Sequence, residues 1–284
     1  MEKVYNETKF LMKKYGITAN KKLGQNFLID ENVLDTIVNS SEINSDDLII
    51  EIGPGLGTLT AKLLEKAGKL ICVELDDRMI SVLKDRFFMY QNLEIINEDI
   101  LKIDLNKIIK ENKENNNFKK VKIVANLPYY ITTPIIMKLL EEKLDIESIT
   151  VMIQKEVADR LTAIPGEKNS GAITYTVYYF SQAEEILTVP NTSFIPEPEV
   201  ASEVIKLTIR KEPIIKIKDE EKFFKIIKCA FMQRRKTLVN ALSNSNLFES
   251  KEQIENLLEE LGIDKKIRGE ALTIEQFANI AGAI

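Results

Sequence analysis

Five short apolar runs recur at 48–52, 70–75, 93–97, 121–126 and 149–153, and this spacing constrains the fold more than any other feature of the chain. Each run has the length of a strand and enough Ile, Val and Leu to be buried on both faces. Helical patterns fall between the runs, with Leu59, Leu63 and Leu64 in the first and Ile80 and Leu83 in the second. Parallel strands cannot be joined by tight turns and need crossover helices. Repeated strand–helix alternation therefore means an α/β fold built on a doubly wound, mostly parallel, Rossmann-like sheet.

Local signals refine this outline. Asp76 follows the second run and reads as a helix cap, and Thr133-Pro134 opens another helix. The Asn-rich stretch 111–117 reads as a solvated loop. Two further β-rich runs lie at 185–189 and 204–209, while 173–180 fits either period and reads more readily as helix. Alternation stops near Lys211-Glu212-Pro213. Beyond it, Phe223, Ile226, Ile227 and Phe231, then Ile254, Leu257, Leu258 and Leu261, repeat at helical spacing. Two domains follow: 1–210, with 1–46 as a helical lead-in, and a small all-helical domain at 211–284.

The composition narrows the chemistry. With no histidine among 284 residues, histidine triads and His-ligated metals are excluded. Cys72 and Cys229 stand far apart, so neither a disulfide framework nor a zinc site is expected. No apolar run approaches a membrane span and the N-terminus lacks a signal-peptide core, so the expected location is the cytoplasm. The net charge is −5, yet residues 1–29 balance at +4 and 206–236 at +7. Two basic blocks in an otherwise acidic chain suggest a directed patch for a polyanion.

Candidate site residues cluster at strand ends. Glu51-Ile52-Gly53-Pro54-Gly55-Leu56-Gly57 places a glycine turn between the first strand and its helix, where backbone N–H groups meet a ligand. Dinucleotide enzymes use a similar turn, but here the glycine spacing is one residue shorter. An acid two residues before the first glycine favours a ligand bearing an ammonium over one bearing a pyrophosphate; S-adenosyl-L-methionine fits. Glu74 can accept from ribose hydroxyls, and Asp99 from an adenine amino group with Ile100 beside the ring. Each alone reads equally well as a surface acid at a strand end. At the fourth strand end, Asn126-Leu127-Pro128-Tyr129-Tyr130 offers an amide acceptor, a proline-stiffened turn and a flat ring. That pattern suits the grip of an exocyclic amine, and alone it also suits an ordinary turn with a packed Tyr.

Taken with these motifs, the chain resembles the ribosomal RNA adenine dimethyltransferases, specifically the bacterial small-subunit, kasugamycin-resistance type. The resemblance runs through Lys21-Lys22-Leu23-Gly24-Gln25-Asn26-Phe27-Leu28-Ile29-Asp30, the glycine turn, Asn97-Glu98-Asp99-Ile100 and Asn126 to Tyr130. It continues through Gln154-Lys155-Glu156 and Gln233-Arg234-Arg235-Lys236. It implies a class I S-adenosylmethionine-dependent methyltransferase domain followed by a helical RNA-recognition domain. By resemblance, Asn26, Leu28, Gly53, Gly55, Glu74, Asp99, Ile100 and Asn126 hold the methyl donor. Asn126, Leu127, Pro128 and Tyr129 form the catalytic turn, and Phe194 is the second aromatic around the target base. The implied substrate is a pair of adjacent adenosines in the 3′-terminal hairpin of 16S rRNA, met within an immature small subunit by a monomer without metal. Glu199 and Ala201 stand where relatives carry Lys and Asp, so that loop lacks the family's cationic contact. The alternatives are a large-subunit methyltransferase of the macrolide-resistance type, disfavoured by Tyr130, and a non-catalytic assembly factor, disfavoured by the intact Asn126–Tyr129 turn.

Overall fold

A computed structural model describes residues 2–20, 23–116, 118–233 and 235–284; Lys21, Lys22 and Arg234 of the motifs lie outside the described residues. The chain opens with helix α1 (Glu2–Lys14), the two-residue strand β1 (Phe27–Leu28) and helix α2 (Glu31–Ser40). The alternating region follows as β2 (Asp47–Ile52), α3 (Thr58–Leu64), β3 (Lys69–Glu74), α4 (Asp77–Arg86), β4 (Leu93–Asn97), α5 (Leu105–Asn116), β5 (Lys120–Asn126), α6 (Thr132–Glu141) and β6 (Ser148–Gln154). Then come α7 (Lys155–Thr162), α8 (Ala172–Phe180), β7 (Ser181–Val189), β8 (Phe194–Ile195) and β9 (Ser202–Ile209). Helices α9 (Glu220–Met232), α10 (Leu238–Leu242), α11 (Lys251–Glu260) and α12 (Ile274–Gly282) close the chain.

Seven strands form one sheet in the order β4-β3-β2-β5-β6-β9-β7. The first five are parallel and β9 runs antiparallel to β6. β2 is buried along its whole length, as a strand covered on both faces must be. The strand order reverses between β2 and β5, the place where open α/β sheets bind ligands beyond the strand C-termini. At the opposite end of the same two strands, Lys122 Nζ lies 2.9 Å from Asp47 Oδ2 and also donates to the Glu42 carbonyl. Both side chains are almost fully buried, and this pairing satisfies charges that would otherwise be strongly unfavourable there.

Asp76 caps α4 by accepting from the Arg78 backbone N–H, as its position implies. The stretch 173–180 lies in helix α8. One local expectation fails. Residues 111–116 belong to helix α5 rather than to a solvated loop, and Asn117 of that stretch lies outside the described residues. Leu105, Ile109 and Asn112 form a buried stripe at i, i+4 and i+7. Asn112 is held inside by accepting from Lys69 Nζ at 2.6 Å and donating to the Ile108 carbonyl at 2.9 Å. A polar composition conceals that stripe because its third member is itself an amide.

The chain divides into two compact units, one of residues 1–158 and 183–209, the other of 159–182 and 210–284. The single boundary near 211 is thus corrected, since 159–182 joins the helical unit. Tyr175 and Tyr179 explain this. Both rings are buried in the apolar cluster of Phe223, Ile226, Ile254 and Phe277. The Tyr175 ring meets Phe277 edge-on at 5.0 Å, and its hydroxyl donates to the Leu272 carbonyl at 2.5 Å.

Candidate active site

The cleft lies in the first unit, over the C-terminal ends of β2, β3 and β5, and encloses about 1090 Å³ counting the space that opens to solvent. Asn26, Leu28, Gly53, Gly55, Glu74, Asp99, Ile100, Asn126, Leu127, Pro128 and Tyr129 all line it. Five segments distant in sequence therefore converge on one cleft.

The glycine turn is held by Glu74. One carboxylate oxygen accepts from the Gly55 N–H at 3.0 Å, and the other accepts from Leu75 and Asp76 at 2.9 Å each. Burial lifts this carboxyl above its ordinary range, against the three N–H groups, which favour its charged form. The oxygen that accepts from Gly55 has a second acceptor site, so Glu74 retains capacity for a hydroxyl. Gly57, at φ 81°, closes the turn. A Cβ there would come within 2.6 Å of Phe87 and 2.9 Å of Leu83. Gly57→Ala combines left-handed strain with overpacking, and the expected loss is ~2–5 kcal/mol, read as a lower melting temperature.

Glu51 sits beneath the turn and is 1% exposed. Its Oε2 accepts from Thr60 Oγ1 at 2.7 Å and from the Cys72 thiol at 3.4 Å. Burial dominates and pushes its pKa up to about 7. Asp99 is more open. One of its oxygens caps Leu101 N–H at 3.0 Å, and the other lies 3.9 Å from Lys102 Nζ at the surface.

At the end of β5, the Asn126 amide nitrogen donates to the Asn26 carbonyl at 3.3 Å, and among the described residues no donor occupies its oxygen. The next turn is tied back through the Pro128 carbonyl, which accepts from Ile131 N–H at 3.2 Å and Thr132 Oγ1 at 3.0 Å. Among the described residues no donor occupies the Leu127 carbonyl. Tyr129 is half-buried, with its hydroxyl 2.5 Å from Ser202 Oγ. Two acceptors and a ring thus converge.

Phe194 is the exception. The ring expected to face the target base is 1% exposed and belongs to the core cluster of Leu28, Leu34, Met152 and Val204. It does not line the cleft. The cause is strand pairing: β8 runs antiparallel to β1 with Phe194 opposite Leu28, so Phe194 anchors the segment that carries Asn26 and Leu28. Composition and spacing alone give no sign of the neighbours Gly24, Gln25 and Phe27. Gln25 donates to Asp76 at 2.9 Å, and a Cβ on Gly24 would press on Tyr130 at 3.3 Å. The only sequence signal for these residues is the Leu23–Asp30 motif itself.

A glycine turn after β2, an acid ending β3, another just past β4 and an amide ending β5, on one edge of this sheet, define a class I methyltransferase. The model of the ribosomal RNA adenine dimethylase family matches residues 16–284, and the chain belongs to that family. It is 47% identical to the Ribosomal RNA small subunit methyltransferase A of Bacillus mycoides over 281 residues, covering 98% of this chain and 96% of that protein. Among solved structures, a dimethyladenosine transferase from Plasmodium falciparum is similar at a TM-score of 0.73 and 28% identity, covering 89% of this chain and 95% of that one. The 23S rRNA methyltransferase ErmE shares the fold at a TM-score of 0.66 and 23% identity, covering 90% of this chain and 98% of that one.

Proposed function

We propose that this protein transfers methyl groups from S-adenosyl-L-methionine to the N6 amines of two adjacent adenosines in the 3′-terminal hairpin loop of 16S rRNA, during small-subunit assembly. The observation that carries this reading is the pairing of two acceptors that no donor among the described residues occupies, Asn126 Oδ1 and the Leu127 carbonyl, beside the glycine turn. Similarity to small-subunit enzymes along nearly the whole chain supports the choice of substrate.

The cleft fits the donor chemically. Glu74 offers an acceptor for a ribose hydroxyl, Asp99 and Ile100 an acceptor and an apolar face for adenine, and Glu51 a carboxylate for an ammonium. When bound, S-adenosylmethionine supplies a methyl group on a sulfonium, an already activated leaving group. What remains for the protein is positioning. The lone pair of an adenine amine is delocalised into its ring. Asn126 Oδ1 and the Leu127 carbonyl accept the two N6 hydrogens, which favours a tetrahedral nitrogen whose lone pair leaves conjugation and points at the methyl group. The alkylated amine then loses one of those protons to water. Tyr129 stacks on the base, an interaction of about 1–3 kcal/mol in comparable sites. Orientation of this kind supplies roughly 7–11 kcal/mol of a barrier, so no histidine is needed. The target base leaves its own stack to enter the cleft. In the helical unit, the exposed Lys225, Lys228, Arg235 and Lys236 provide contacts to RNA phosphates, whereas Lys206 of the same basic block is bound to Glu42.

The deciding experiment incubates the protein with labelled donor and, in parallel reactions, undermethylated small subunits and large-subunit RNA, then maps the modified nucleosides. Two adjacent N6,N6-dimethyladenosines near the 16S 3′ end are expected. Label appearing only in large-subunit RNA overturns the substrate assignment, and binding without any label leaves an assembly factor.

A further inference from the structure

Helix α1 precedes residue 16, where the family model begins. It is fastened to the first unit by buried Val4, Thr8 and Leu11. Its outer side carries Lys3, Lys9, Phe10 and Lys13, and Phe10 is 63% exposed. The turn after α4 exposes a second apolar group, with Phe88 at 77%, Met89 at 73% and Tyr90 at 42%. Ion pairs join these two places: Lys14 to Asp85 at 2.8 Å, and Glu7 to Arg86. Glu7, Phe10 and Lys14 are spaced i, i+3 and i+7, so Phe10 stands on the side of α1 that meets the end of α4.

Exposed aromatics on two segments that ion pairs join need a reason. The charges around them indicate which partner they fit. Glu7 and Asp85 are consumed by the ion pairs, while Lys3, Lys9, Lys13 and Lys84 are exposed and form no ion pair among the described residues. Lys9 lies over the Tyr5 ring and Lys14 over Tyr15, each 4.6 Å from the centroid, so cations and rings interleave. Aromatic faces flanked by free lysines suit bases and phosphates of an unpaired strand better than an apolar protein surface. We propose that α1 and the 88–90 turn form an accessory surface for single-stranded RNA, separate from the catalytic cleft. The proposal shares with the functional reading only the premise that the partner is RNA.

The test uses the full-length protein and a fluorescent unstructured oligouridine, with affinity followed by anisotropy across salt concentration. Phe10→Ala with Phe88→Ala should weaken binding at least tenfold, in line with stacking losses at comparable sites. Lys9→Gln with Lys13→Gln should lower the salt slope by about 1.4, at roughly 0.7 per phosphate contact on a single strand. Both side chains of each pair are exposed, so melting temperature and donor binding should stay at wild-type values. On small subunits the same variants should raise KM with little change in kcat. Unchanged oligonucleotide affinity and salt slope in both variants overturn the surface. So does ultraviolet cross-linking that joins residues 2–14 or 87–91 to a ribosomal protein instead of RNA. Oligonucleotide binding is read without methyl transfer, so this proposal fails or stands separately from the catalytic one.

Discussion

Asn126→Ala should lower kcat for methyl transfer by about 10²–10³-fold while changing donor affinity only a few-fold. The substitution removes one of the two acceptors for the N6 hydrogens, and a single preorganised polar contact to a reacting group is worth a loss of that size. It also removes the 3.3 Å bond to the Asn26 carbonyl, which fixes the direction of the amide. Asn126→Asp separates these two contributions. It keeps an acceptor but cannot donate to Asn26, so it should fall between wild type and Ala. Single-turnover rates on undermethylated subunits, with calorimetric titration of the donor beside them, provide the check. A near wild-type rate in the Ala variant would remove Asn126 from the chemistry and leave it as a strand-end cap.

The parts of this site that are legible in the sequence are those set by local physics. A glycine turn needs glycines, and carboxylates at strand ends sit on the binding edge whenever the sheet is parallel. Glu51, Gly55, Glu74, Asp99 and Asn126 are therefore candidates from spacing alone, and all five line the cleft. What escapes is set by partners far away in the chain. The β1–β8 pair has two residues per strand and joins Leu28 to Phe194, too little for any periodicity to signal. An aromatic in a Pro-rich segment reads equally as a platform or as core, and only that pairing shows Phe194 to be core. Tyr175 and Tyr179 likewise reveal their allegiance only against Phe223 and Phe277, which lie across the notional boundary at 211. Asn112 shows the converse error, since a polar side chain can complete an apolar stripe when another residue satisfies its amide.

Glu51→Gln should make the protein more stable at alkaline pH and a weaker binder of its methyl donor. In the unfolded chain this carboxyl titrates near its ordinary 4.5, whereas burial raises it to about 7 in the folded protein. Between those values the folded state holds a proton that the unfolded state lacks, so stability falls as pH rises through the interval. The accumulated difference is about 3 kcal/mol above pH 7, since each pH unit between the two values contributes about 1.36 kcal/mol. Glutamine has the same shape and keeps an oxygen for the Thr60 hydroxyl, but it carries no charge to desolvate. Wild type and variant should therefore melt alike near pH 4.5 and diverge upward to pH 8, with the variant several degrees higher. Donor affinity should move the other way. Binding a ligand ammonium favours ionised Glu51, so wild-type affinity should gain with pH across 7 relative to the variant, whose amide cannot respond. Thermal melts at three pH values and donor titrations at the same values measure both trends. A variant that is less stable than wild type at pH 8, or that follows the wild-type affinity profile, would show that Glu51 serves the packing beneath the glycine turn and not the ligand above it.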